Sequence, residues 1–343
     1  MIRIFDDINV DWLGKRRLLL SISIVLMLVG LGSAIIREAV PGGTRAFNQG
    51  VDFLGGTVVN VRFNKRPSDD TIRAALTRAG LADAVLQPVL DRNDEVMIKV
   101  GRQGSEETAQ AEAQVDIGRT KIAEALASLG PETGARIEKT EAVGAVAGSQ
   151  LRNQAITVTL LALVGIMLYI GLRYEWTYGA AAVITVFHDV LVTLGFFSIF
   201  QWEVNLTVIA ALLTLVGFSV NDTIVTFDRV RENLRLHRRR SLYDITNEAI
   251  NQTLSRTIIT SGLVFLSVLA LVLFGGEVLR GFSLALLIGI VFGTYSTIVI
   301  SNPIMVWWQQ RLEPARTPTK TGDAASRRTP AAERKAKAGA AAR

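Results

Sequence analysis

The chain reads as an α-helical polytopic membrane protein, with six transmembrane helices and an α+β domain inserted between the first two. Three observations carry that reading. The 343 residues are 49% hydrophobic with a mean hydropathy of +0.33, too apolar for an ordinary soluble chain of this length. Six runs are long and apolar enough to cross a bilayer. Between the first two runs the periodicity changes for about a hundred residues, enough for one small core.

A helix needs about 20 mostly apolar residues to span a hydrocarbon core of roughly 30 Å. The qualifying runs are Leu18 to Ile36, Ala155 to Leu172, Tyr178 to Phe200, Asn205 to Phe227, Thr257 to Phe274 and Phe282 to Trp308. The fifth is short and is expected to reach back over Leu254-Ser255-Arg256. The sixth is long and carries Asn302-Pro303 near its end. The Lys15-Arg16-Arg17 cluster precedes an apolar run without a small-residue cleavage site, so the first span reads as a retained signal anchor.

Orientation follows from lysine and arginine placement in short flanks. Arg3 and the 15–17 cluster, Arg173, the loop from Arg229 to Arg240 and the tail beyond Trp308 are basic. The alternate connections are poor in basic residues: Gln201 to Val204 has none, and Gly275 to Gly281 has only Arg280. Both termini are therefore expected in the cytoplasm and the inserted domain outside.

The inserted region, 37–152, alternates strand and helix signals. Thr57 to Phe63 reads as a strand, and a helix follows to Ala79 with Ser68 or Asp69 as N-cap. Ala82 to Pro88 and Glu95 to Val100 read as strands around the turn residues Asp91, Asn93 and Asp94. A helix from Glu106 to Leu129 and a strand from Gly134 to Val143 complete a ferredoxin-like pattern. The tail, 311–343, is rich in Ala, Lys, Arg, Thr and Pro and is expected to be disordered. Contact with anionic lipid is its plainest role, and nothing supports a nucleic-acid partner.

Several function classes recede. The chain has no cysteine and only two histidines, His188 and His237, which excludes thiolate metal sites and leaves little for a histidine-based centre. It has no Walker-type glycine loop and no visible nucleophile–base constellation. The expectation is a protein that is not an enzyme, with no metal and no cofactor.

Ionisable groups inside a span are costly, so each is a candidate by default. Asp222 falls in the fourth span, about five residues before its inner end, and Arg256 enters the fifth from the same side. Asp189 lies in the third beside His188. Asp222 is either a carboxylate that changes protonation in a working cycle or half of a structural ion pair. Arg256, which keeps its proton, is either its switchable counter-ion or an interface anchor. For Asp189 and His188, packing or an internal hydrogen bond competes with a place on a proton path. Gly289, Gly293, Thr294, Ser296 and Thr297 suit close helix contact. Asp228 to Arg235 suits an amphipathic surface helix, or serves as a topological determinant alone.

Motifs at several places carry a family resemblance. Gly50-Val51-Asp52-Phe53-Leu54-Gly55-Gly56-Thr57 is similar to the Phe-x-Gly-Gly signature of the SecD/SecF family. Val220-Asn221-Asp222-Thr223 with Phe227 to Asn233, Asn251-Gln252-Thr253-Leu254-Ser255-Arg256-Thr257, and Phe292 to Ser296 resemble its span signatures on the SecF side. The resemblance extends to about Trp308 and departs at Val143 to Gly148, where the family often carries a proline. It implies a bacterial inner-membrane subunit of the resistance-nodulation-division superfamily. Such a subunit works with SecD beside the SecYEG channel and uses the proton gradient to help exported polypeptide across. It places Asp222 and Arg256 on the proton path and makes Phe53, Gly55, Gly56, Asn221, Asn251 and Gln252 motif residues. Two readings compete: a small-molecule or lipid transporter of the same superfamily, and a translocon scaffold that does not titrate.

Overall fold

The computed structural model describes residues 9–40, 45–82, 84–89, 92–101, 111–143, 145–237 and 239–312. Arg3, Asp91, the expected helix start at 106–110, Gly144, Arg238 and the basic tail from 313 lie outside them. The chain runs through α1 (Arg16–Ala39), β1 (Asn48–Gln49), α2 (Val51–Leu54), β2 (Gly56–Arg62), α3 (Asp69–Arg78), β3 (Val85–Val89) and β4 (Arg92–Gly101). It continues through α4 (Ala111–Ala127), β5 (Arg136–Val143), α5 (Ala145–Arg173), α6 (Trp176–Phe200), β6 (Glu203–Val204), α7 (Leu206–Leu236) and α8 (Leu242–Phe274). The last stretch is α9 (Gly276–Ser296), a widened π turn (Thr297–Ser301) and α10 (Asn302–Leu312).

Among the described residues six helical stretches are long and apolar enough to span a membrane, the last formed by α9, the π turn and α10. They do not contribute equally to the packing. In α6, α7 and the sixth stretch 50–56% of the apolar window is buried, against 11–17% in α1, α5 and α8. The first three therefore form the centre of the bundle, and the other three present apolar side chains outward. The sheet domain sits where α1 ends and α5 begins, at the end of the bundle opposite the termini.

The domain's sheet has the order β3-β4-β2-β5 with every pair antiparallel, the arrangement that a strand–helix–strand–strand–helix–strand chain adopts in a ferredoxin-like fold. Alternation on β2 sends Val59 and Val61 into one core with Ile72, Leu76, Ile98 and Ile122. Ser68 caps α3, its side chain accepting from the Thr71 amide at 3.3 Å. Asn93 and Asp94, expected in a turn, lie within β4, and Arg62 on β2 pairs with Asp94 at 2.8 Å. These strand ends are solvated, so polar residues continue the ladder there.

The helices outrun the apolar segments. α5 starts ten residues before the expected Ala155, and α8 starts at Leu242, where the Ser241 side chain accepts from the Asp244 amide. Asp228 to Arg235 is not a separate surface helix but the continuation of α7. Hydrophobicity locates the part of a helix that suits hydrocarbon, whereas backbone hydrogen bonding propagates through polar residues in water until a cap or breaker intervenes. Asn302-Pro303 widens the sixth stretch by one turn without ending it, and the Asn302 side-chain amide donates to the Thr297 carbonyl at 2.7 Å.

Candidate functional site

α7 sets the site. Ser219, Asp222, Thr223 and Thr226 recur at i, i+3, i+4 and i+7 and are all buried, a polar stripe within the apolar stretch of the helix. Asp222 is 4% exposed and, among the described residues, accepts one hydrogen bond, from the Ser261 hydroxyl on α8 at 3.0 Å. The Thr226 hydroxyl returns to the Asp222 carbonyl at 3.2 Å, and the Thr223 and Thr297 hydroxyls lie 3.2 Å apart. α7 continues beyond Phe227 to Leu236, so the helix outruns the apolar span in which Asp222 lies.

Arg256 lies on a different face of α8 from Ser261. It is exposed, and among the described residues no ion pair joins it to Asp222. The reason is rotational: Ser261 lies five residues on, roughly 140° around the helix and about 7.5 Å along it. The face of α8 turned inward is Thr253, Thr257 and Ser261, spaced by four.

Asp189 on α6 has no exposed surface. Its Oδ2 accepts from the Ser219 hydroxyl on α7 at 2.7 Å and the Ser296 hydroxyl on α9 at 2.8 Å. Its Oδ1 lies 3.0 Å from His188 Nδ1, while His188 Nε2 is buried with no hydrogen-bond partner among the described residues. Three helices thus converge on one carboxylate. Gly289 allows that approach, since a Cβ there would fall 2.5 Å from Leu215. Burial of a carboxylate is tolerable when its oxygens are filled by donors, and Asp189 is filled where Asp222 is not.

The remaining motif residues fasten helix ends. Asn251 Oδ1 accepts from the Val10 amide at 3.3 Å and Trp12 Nε1 at 3.0 Å, and its amide donates to the Val10 carbonyl at 3.0 Å. Gln252 Oε1 receives Arg229 Nε at 2.6 Å and the Asn233 amide at 3.0 Å, tying α8 to the polar extension of α7. Asn221 is exposed. Phe53, 5% exposed, packs with Phe197, Val204 and Val208 at the domain end of the bundle. Gly55 has φ 75°, and a Cβ on Gly56 would strike the Val100 carbonyl at 2.4 Å, so neither position accepts a side chain. Among the described residues no cluster of three His, Cys, Asp or Glu side chains can hold a metal ion.

Sequence reasoning missed Ser261, Ser219 and Ser296 as partners of the carboxylates. The four-residue spacing of Thr253, Thr257 and Ser261 was the available signal.

Comparison with known proteins agrees with this layout. The family described as protein export membrane protein SecD/SecF, C-terminal, matches residues 121–311, and the SecD/SecF GG motif matches 42–65. A protein translocase subunit SecF of Koribacter versatilis is 39% identical over 90% of this chain and 93% of its own. The corresponding subunit of Pseudomonas aeruginosa is 38% identical over 87% and 91%. The crystal structure of SecDF from Thermus thermophilus, a translocon-associated membrane protein, superposes with a TM-score of 0.73 at 34% identity. It covers 89% of this chain, which spans only 39% of that longer one. With a family match over more than half its length and close relatives over most of it, the chain belongs to the SecD/SecF family of protein export membrane proteins.

Proposed function

We propose that the chain is an accessory subunit of the Sec protein-export translocase that uses the proton gradient, together with a SecD partner beside the SecYEG channel, to promote late steps of polypeptide translocation. The observation that carries this reading is the contrast between the two buried carboxylates. Asp189 has its oxygens filled by Ser219, Ser296 and His188 and serves as a packing centre. Among the described residues Asp222 has a single hydroxyl donor, which leaves it free to take and release a proton. Arg256, standing off in this arrangement, is the counter-ion that approaches when Asp222 ionises. The step is conformational, with no bond made and no cofactor.

The partner is supported by the chain's similarity to part of a longer SecDF protein and by the three outward-facing helices α1, α5 and α8. An exposed arginine on a spanning helix needs a polar partner or headgroups, and a second six-span protein supplies the first. Arginine-rich flanks support a reading in which both termini are cytoplasmic and the sheet domain lies outside, where it would meet emerging polypeptide. Lipid covers the remaining apolar faces.

Asp222→Asn keeps size and removes titration. Export into membrane vesicles, with and without a proton gradient, is the measurement. Loss of the gradient-dependent part at normal accumulation supports the proposal, and unchanged gradient dependence replaces it with the scaffold reading.

A further inference from the structure

The sheet domain does not merely hang from α1 and α5; it grips the turn between α6 and α7. β1 pairs in parallel with β6 in that turn, and the Gly50 amide continues the ladder to the Val204 carbonyl at 2.9 Å. Lys99 on β4 pairs with Glu203 at 2.7 Å, both side chains being at least four-fifths buried. The Asp52 carboxylate accepts from the amide of Leu206, the first residue of α7, at 3.0 Å. That amide is one of the donors a helix start leaves unpaired, and a negative charge there is favoured by the helix dipole. At the root of α5, a Cβ on Gly148 would lie 2.9 Å from the Phe53 carbonyl, so α2 is seated against that helix as well.

From this grip α7 runs without interruption to Asp222, sixteen residues or about 24 Å away. A continuous helix transmits a shift at one end to the other. Beside the grip lies a cleft of about 430 Å3, bounded by Gln87, Trp202 and Leu284 among others.

We propose that Lys99, Glu203 and Asp52 are positioning residues that form a coupling joint, through which displacement of α7 at Asp222 reaches the sheet domain. The proposal rests on the reading of Asp222 as the proton carrier. No local signal in the chain marks the joint, because Lys99 and Glu203 are 104 residues apart.

The experiment uses the full chain with its translocase in membrane vesicles and compares Lys99→Glu, Glu203→Lys, the combined reversal, Asp52→Ala and Asp222→Asn. Each is read for accumulation, for export without a gradient and for the extra export that a gradient drives. The expected result is that each single joint variant cuts the gradient-driven part by about fivefold or more, the low end of coupling between linked sites. Gradient-independent export stays unchanged, and the combined reversal restores the gradient-driven part. Where a charge reversal fails to accumulate, Glu203→Gln, which keeps size and weakens the pair, takes its place. Full gradient-driven export in the accumulating single variants, or no restoration in an accumulating combined reversal, overturns the joint. If Asp222→Asn abolishes the gradient-driven part while the joint variants keep it, the joint alone fails. If Asp222→Asn keeps it, the proton-carrier reading fails and the joint falls with it.

Discussion

Ser261 donates its hydroxyl to the Asp222 carboxylate at 3.0 Å, and this bond joins α8 to α7 inside the bundle. It is the only hydrogen bond to that carboxylate among the described residues, so whatever Asp222 does on losing or gaining a proton is felt first by α8. Ser261→Ala removes the donor and leaves a small void, a loss of about 1 kcal/mol. Gradient-driven export is expected to fall severalfold without disappearing, because Asp222 still titrates. Vesicle export measured beside Asp222→Asn checks this, and a Ser261→Ala protein indistinguishable from the parent would show that the bond plays no part.

Asp189 makes the opposite prediction. Asp189→Ala strands the Ser219 and Ser296 hydroxyls and the His188 ring in a buried site, at about 1–3 kcal/mol for each orphaned group. Asp189→Asn retains an acceptor and loses less. Thermal unfolding in detergent should rank the parent above Asp189→Asn and that above Asp189→Ala. A packing role is refuted if Asp189→Ala melts with the parent.

Some of this was legible in the chain and some was not, for physical reasons. The alternation around Val59 and Val61 and the Ser68 cap encode the sheet domain locally, so its topology follows from period and capping. Asp222 and Asp189 announce themselves because a carboxylate among apolar residues is expensive wherever its helix sits. Their partners do not, since which face of α8 turns inward depends on tertiary packing. Among the described residues Asp222 and Arg256 make no direct ion pair in this arrangement, because that rotation turns Ser261 inward and leaves Arg256 exposed. Helix ends were hidden because a polar continuation such as Asp228 to Arg235 is helical in water while the hydropathy signal has already ended.

At the terminal end of the bundle, the Tyr174 hydroxyl donates to Asp228 at 2.9 Å. Burial first, and the Asp228 carboxylate second, push the Tyr174 phenol up to about 12. A folded value above the ordinary 10 means that the contribution is complete below pH 10 and is lost as pH climbs through about 12. Tyr174→Phe should therefore lower stability by no more than about 1 kcal/mol for this partly exposed pair. The deficit should be the same at every pH from 6 to 9. Melting temperatures of the two proteins across that range test it, and a deficit that varies with pH there contradicts the assignment.

Asn251 holds the segment before α1 against α8, with two bonds received from Val10 and Trp12 and one returned to Val10. Asn247 adds a bond from the Trp12 amide at 2.9 Å. Leu13, with no exposed surface, fills a cluster with Phe227, Val230 and Met305. Replacing Asn251 by Ala removes three of these polar contacts but leaves Leu13 in place, so the segment should open locally while the bundle stays folded. A net loss of about 1.4 kcal/mol from the three bonds corresponds to roughly tenfold more of the open form. Lys15, Arg16 and Arg17 lie just beyond, so trypsin added to the detergent-solubilised protein reports that opening directly. Cleavage there should quicken about tenfold in Asn251→Ala at unchanged melting temperature. Equal cleavage rates would mean that Leu13 alone secures the segment and that the asparagine of the motif is needed for something else.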